Sequence, residues 1–190
     1  NAQFLLFLTA IIKAVDENQD LLRISVASAG NDCRLGAHEA PPAIISVYLG
    51  DELYAVLEAV KNGSAYDNKR ASKMTIGVDV LPPIPKDSTD RNRTSPFAFT
   101  GNKFEFRSLG ASLSIAGPNT ILNAIVASVL KSFADELENT DDFHTSLERL
   151  IRRELSAHWR ILFNGNGYDE QWVLEAERRG LLNLRTLPDA

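Results

Sequence analysis

Three stretches of the sequence carry residues able to do chemistry. The first is Lys103-Phe104-Glu105-Phe106-Arg107, a strict alternation. On a strand, Lys103, Glu105 and Arg107 share one face while Phe104 and Phe106 turn to the core. A carboxylate between two cations has two readings. One is a surface ladder of opposite charges, common and individually weak. The other is a metal-binding Glu105 flanked by cations that hold phosphate or carboxylate oxygens, because hard divalent ions take oxygen ligands and phosphoryl transfer needs positive charge around the moving group. The second stretch is Arg91-Asn92-Arg93-Thr94-Ser95-Pro96. Its arginines either fork onto phosphate or carboxylate oxygens from a constrained turn or are ordinary residues of an exposed loop. The third is Glu39, between Gly36 and Pro41-Pro42. It reads as a mobile general base or as a solvated loop carboxylate.

Other candidates carry less. His38, His144 and His158 do not sit at helical metal spacing, and His158 is expected to pack on its helix face. Cys33 is the sole cysteine, so an internal disulfide and any CxxC motif are excluded, and a structural role is expected for it. Gly165-Asn166-Gly167 is too short for a phosphate loop and reads as a turn.

The elements that must position these residues follow from periodicity. Phe4, Leu8, Ile11 and Val15 recur at helical spacing, and Lys13, Asp16 and Glu17 arrive too early for a membrane span. Leu22, Ile24 and Val26 alternate with polar or small residues and predict a half-buried strand; Ser28 to Pro42 is turn-rich. Ile44 to Leu49 predicts a strand. Asp51 is placed to cap a helix carrying Leu53, Val56, Leu57 and Val60 and ended by Gly63. Residues 61–73 read as an exposed loop, and Ile76, Val78 and Val80 as a strand stopped by prolines. Pro118 opens a long helix, a second helix runs from Asp142 to about Leu162, and Asp169 caps a last one ended by Gly180. The fold class is α+β, with strands mostly early and helices mostly late.

Composition sets limits. The chain has 190 residues, 44% hydrophobic and 24% charged, which suits a folded soluble domain. Its net charge of -5 gives no general attraction to nucleic acid or anionic lipid, so neither is expected as a partner. Residues 86–107 run the other way, with Lys86, Arg91, Arg93, Lys103 and Arg107 against Asp87, Asp90 and Glu105, a surplus of two positive charges. The first residue is Asn1, and the chain is expected to be a piece of a longer protein, incomplete at both ends.

Taken in order, Arg34-Leu35-Gly36-Ala37-His38-Glu39-Ala40-Pro41-Pro42, Asn92-Arg93-Thr94-Ser95 and Lys103-Phe104-Glu105-Phe106-Arg107 resemble the glutamine synthetase catalytic domain. Arg91 to Asn102 and Ile161 to Tyr168 resemble the large bacterial type III form in particular. The resemblance covers essentially the whole chain. It implies a glutamine synthetase catalytic-domain fold, an antiparallel sheet with packed helices, of which residues 1–190 are the C-terminal part. Residues 50–88 would be a type III insertion and residues 118–190 mainly helical.

The resemblance also implies site roles. Glu39 matches the flap glutamate that takes a proton from ammonium. Arg34 matches an arginine holding the substrate glutamate, although one spacer residue fewer separates it from Glu39 than in the type I pattern. Arg93 matches an arginine that stabilises the transferring phosphate and contacts ATP. Glu105 matches a metal-ligand glutamate, and Arg107 an arginine that contacts the glutamate side-chain carboxylate and the phosphorylated intermediate. Lys103 stands where an ATP-contacting arginine would be, keeping the charge without the fork. Ala98 stands near the place of another such arginine.

The implied activity is an ATP-dependent glutamate–ammonia ligase acting through γ-glutamyl phosphate, with Mg2+ or Mn2+. The implied protein is cytoplasmic and assembles as a ring-based homo-oligomer, a dodecamer. Two alternatives are a ligase of the same fold joining glutamate to another amine, and a non-catalytic descendant. Further metal ligands and an N-terminal domain lie outside these residues, so the isolated chain is expected to be inactive.

Overall fold

The computed structural model describes residues 2–35, 42–66, 73–74, 84–85 and 95–190. Helix α1 spans Ala2–Glu17, α2 Gln19–Ser25 and the short α3 Ala29–Asp32. Strand β1 (Val47–Tyr48) precedes α4 (Asp51–Asn62). Strands β2 (Lys73–Met74) and β3 (Ile84–Pro85) pair antiparallel. Strands β4 (Phe97–Thr100) and β5 (Lys103–Phe106) form a hairpin. The helices α5 (Ala116–Leu137), α6 (Phe143–Ala157) and α7 (Glu170–Arg178) complete the chain, with a 3-10 turn at Trp159–Ile161 after α6.

The expected α+β class holds. The hairpin β4–β5 is antiparallel as expected, and β1 adds to β4 in parallel, so the three-stranded sheet is mixed in the order β1-β4-β5. Helices occur before the sheet as well as after it. α1 packs on α5 and α6, α4 packs on α6, and α2 packs on α5. One apolar core joins them, built on Leu8, Ile12 and Val15 of α1, Ile125, Val129 and Phe133 of α5, and Leu150, Ile151 and Leu155 of α6. The α5 residues recur every four positions, and Leu150 and Ile151 each stand four or five before Leu155, the stripe by which an amphipathic helix buries one face.

Several local expectations change. Residues 22–26 are not a strand: Leu22 and Arg23 are buried while Ile24 is exposed, a helical rather than an alternating pattern, because α2 continues α1 after a break at Asn18. Phe4 is exposed, so the buried stripe of α1 begins at Leu8. The strand expected over 44–49 contracts to Val47–Tyr48, with single bridges from Ile44 to Asn183 and from Val47 to Leu162. Gly50 caps α4 and Asp51 is its first helical residue, an acid where the helix dipole favours one. Lys61 and Asn62 belong to α4 rather than to a loop, and Gly63 closes it in the left-handed conformation at φ 66°. The helix expected up to Leu162 stops at Ala157. Cys33 is exposed, not a packed structural residue. The strand expected at Ile76 to Val80 lies outside the described residues.

His158 does not pack on an apolar helix face. Its Nδ1 lies 2.7 Å from Asp16 Oδ2 and its Nε2 3.4 Å from Glu154 Oε2. Asp16 also accepts from Arg160 Nε at 2.9 Å, and Glu154 accepts from Lys13 Nζ at 2.8 Å. Two carboxylates buried among helices need such partners, since an unpaired charge there is costly. The network joins α1 to α6 and to the turn after it.

Candidate functional site

Lys103, Glu105 and Arg107 come from the β4–β5 hairpin. Gly101, at φ 65°, makes the tight turn possible, because left-handed backbone is strained for residues with a Cβ. Register then sets Thr100 opposite Lys103 and Ala98 opposite Glu105. The other face is aromatic. Phe97 stacks on Phe104 at 5.1 Å between ring centroids, and Phe99 meets the same ring at 5.1 Å. Phe104 and Phe106 pack on the core, as their alternation predicts.

On the charged face Glu105 is the centre. Thr100 Oγ1 donates to its Oε1 at 2.8 Å, and Arg107 Nε donates to its Oε2 at 3.1 Å. Arg107 Nη2 lies 3.0 Å from Oε2, and Lys103 Nζ 3.6 Å from Oε1. The Thr100 hydroxyl first, then Arg107, hold the Glu105 carboxyl below the usual glutamate value, so it is an anion at neutral pH. Arg107 is mostly buried, while Lys103 reaches into solvent. The Arg107 backbone N–H donates to Pro96 O at 2.7 Å, which extends the strand pairing by one residue.

Arg34 reaches the same end of β5. Its Nη2 donates to the carbonyl of Ser108 at 2.7 Å and its Nε to Asn31 Oδ1 at 3.0 Å. Two arginines expected to hold substrate, more than seventy positions apart, are thus tied to consecutive residues, Arg107 itself and Ser108. Glu39 and Arg93, with Arg91, lie outside the described residues. Ser95, which follows the Arg93 segment, is buried; its Oγ donates to Phe163 O at 3.0 Å and accepts from Ser46 Oγ at 2.8 Å.

Three contributors escaped sequence reasoning. Thr100 is visible only through the hairpin register. Ser108 acts through its backbone carbonyl, which no side-chain pattern marks. Asn31 sits three residues before Arg34, and that spacing is the one signal that could have pointed to it.

The fit to a divalent ion is incomplete. Glu105 offers a carboxylate, but the described residues contain no group of three or more His, Cys, Asp or Glu side chains able to hold a metal. What these residues form is an edge of three cationic side chains, Arg34, Lys103 and Arg107, with a single carboxylate in it. Among the described residues no helix is long and apolar enough to cross a membrane.

Comparison with known proteins bears on the chain as a whole. Residues 146–190 match the glutamine synthetase C-terminal domain. The whole chain is 51% identical to a type-3 glutamine synthetase of Dictyostelium discoideum, covering 26% of that protein. It is 50% identical to a glutamine synthetase of Butyrivibrio fibrisolvens and 43% identical to one of Bacteroides fragilis strain YCH46, each over the full chain and 27% of the relative. The chain therefore spans about a quarter of the length of these relatives. Over its whole length the chain is thus similar to a quarter of these glutamine synthetases, and its last 45 residues match the glutamine synthetase C-terminal domain.

Proposed function

We propose that this chain serves an ATP-dependent glutamate–ammonia ligase that makes glutamine. A side-chain carboxylate oxygen of glutamate attacks the γ-phosphorus of ATP and ADP leaves. Ammonia then attacks the acyl carbon of γ-glutamyl phosphate, loses a proton, and phosphate departs carrying the original carboxylate oxygen. The observation that supports this reading is the convergence of Arg34 and Arg107 on one end of β5 beside the anionic Glu105.

The roles follow from charge. Arg34 and Arg107 hold the substrate carboxylates in a fork geometry that a lysine does not supply. Arg107 keeps positive charge where the phosphoryl group arrives, and Lys103 and Arg93 neutralise ATP oxygens. Glu39 accepts the proton that turns ammonium into ammonia. Glu105 gives one oxygen ligand toward a divalent ion, Mg2+ or Mn2+, whose other ligands lie outside the described residues. ATP, glutamate and ammonium are the substrates of the full-length protein, which works in the cytoplasm as a ring-shaped homo-oligomer. Residues 50–88 are read as an insertion on the catalytic domain; α4, which falls within these bounds, packs on α6.

The test is steady-state turnover of the full-length protein with glutamate, ATP and either ammonium or a panel of amines. Glutamine formation that falls at least a hundredfold in Glu39→Ala and in Arg107→Lys supports the reading. Preference for an amine over ammonium, or full ammonium activity in Glu39→Ala, refutes it.

A further inference from the structure

Asn31 is a buried polar side chain, and nothing in the reaction proposed above uses it. Both ends of its amide are committed. Its Nδ2 donates to Val26 O at 2.7 Å and to Ser108 O at 2.8 Å, while its Oδ1 accepts from Arg34 Nε at 3.0 Å. Its own N–H is capped by the Ser28 hydroxyl at 3.2 Å, which fixes the start of α3. One amide thus ties three segments together: the end of α2, the turn carrying Arg34, and the residue that follows Arg107. Ser108 O receives both Asn31 Nδ2 and Arg34 Nη2, so the two side chains and the carbonyl close a ring.

We propose that Asn31 is the positioning residue of the glutamate site, setting the plane of the Arg34 guanidinium against the end of β5. The proposal rests on the reading of Arg34 as a substrate-holding arginine. A flexible arginine has many rotamers, and one bound at Nε and Nη2 by fixed groups retains few. The Arg34 Nη1 group has no partner among the described residues and is the part of the fork left for a carboxylate. Orientation of this kind lowers the entropy cost of holding substrate. It therefore acts on the affinity for glutamate and not on that for ATP. Gly110 supports the arrangement from outside: a Cβ there would meet Asn31 Oδ1 at 3.3 Å, so a side chain would press on the amide.

The experiment is a double-mutant cycle in the full-length protein, reading the KM for glutamate and for ATP separately. Asn31→Leu keeps the volume and removes every polar contact. Arg34→Lys removes the fork. Each is expected to raise the glutamate KM about tenfold with the ATP KM within about twofold, and the double variant is expected to match Arg34→Lys alone, because Asn31 acts through Arg34. If the two effects multiply, or if Asn31→Leu leaves the glutamate KM unchanged while Arg34→Lys raises it, the proposal is overturned. Should Asn31→Leu fail to fold, Gly110→Ala carries the cycle, with a glutamate KM raised a few-fold only when Arg34 is present; no change overturns the proposal. An active protein whose glutamate KM ignores Arg34→Lys overturns the Arg34 role and this proposal together. A wild-type protein that makes no glutamine overturns the ligase reading itself, and with it the proposal.

Discussion

Gly165 lies in the turn after Phe163, and the reason it must be glycine is a ring. A Cβ at Gly165 would sit 2.6 Å from Phe163 Cζ and 2.8 Å from Cε2. Such contacts require the ring to move, and here it has little freedom. Phe163 stacks on the buried Trp172 with centroids 3.6 Å apart and planes 12° apart. The Arg179 guanidinium sits 5.3 Å from the Trp172 centroid. The Phe163 backbone is held as well, its N–H donating to Val47 O at 2.9 Å and its carbonyl accepting from Ser95. Gly165→Ala therefore behaves as overpacking, which costs about 1–3 kcal/mol. In a chain of this size each kcal/mol moves the melting temperature by about 2–4 °C, so the loss is roughly 2–12 °C. Thermal unfolding followed by tryptophan fluorescence reads it. Gly30→Ala is the control, since nothing lies within 4 Å of a Cβ there and alanine favours its helix. Phe163→Leu removes the blocking ring atoms, and in that background Gly165→Ala is expected to cost less than half as much. A melting temperature within about 1 °C of wild type, or an unchanged penalty in the Phe163→Leu background, refutes the steric reasoning.

Other consequences are testable by the same kinds of measurement. Asp32→Ala removes the carboxylate partner of Arg23, a buried guanidinium whose Nη1 has no hydrogen-bond partner among the described residues, and breaking a buried pair costs about 3–5 kcal/mol; a urea midpoint unchanged from wild type contradicts this. The Thr100→Val variant removes the first cause of the lowered Glu105 pKa, so carboxyl NMR titration is expected to find Glu105 protonating at higher pH than in wild type, and an unmoved titration contradicts it. Burial pushes Glu154 up, but hydrogen bonds from Lys13 and Arg153 outweigh it and leave its pKa lowered, as Arg153 does first for Glu136. A lowered folded pKa contributes stability that is present above the unfolded value, 4.5 for glutamate, and is lost as pH falls through the folded value. Urea midpoints are thus expected to be flat from pH 7 to 5 and to drop below about pH 4.5, less steeply in Arg153→Met, and a flat profile down to pH 3 is the contrary result. The isolated 190-residue chain is expected to form no glutamine beside an active full-length protein, and turnover by the chain alone contradicts the need for residues outside it.

Much of the site was legible because it rests on short-range rules. Alternation in Lys103 to Arg107 placed the aromatic and charged faces correctly, since the period of a strand is two. Asp142 and Asp169 cap their helices as their positions suggest, each accepting from the backbone two or three residues on. What failed was decided by tertiary context. Leu22, Ile24 and Val26 alternate like a strand, yet the segment is helical because Arg23 is drawn inside to bind the carbonyl of Leu184, more than 160 positions away. His158 follows the apolar stripe of α6, but its neighbours in space are carboxylates, Asp16 of α1 and Glu154 of α6. The family pattern named Arg34, Glu105 and Arg107. The groups that orient them, Asn31, Thr100 and the Ser108 carbonyl, emerge only once β5 and the turn after α2 are brought together.

That this chain serves a glutamate–ammonia ligase is tested most directly by following one oxygen. Glutamate labelled with oxygen-18 in its side-chain carboxylate is given to the full-length protein with ATP and ammonium, and the released phosphate is analysed by mass. Formation of γ-glutamyl phosphate predicts one labelled oxygen in phosphate for each glutamine formed, with the transfer strongly reduced in Arg107→Lys. Glutamine formed with unlabelled phosphate, or ATP hydrolysed with no glutamine at all, would contradict it.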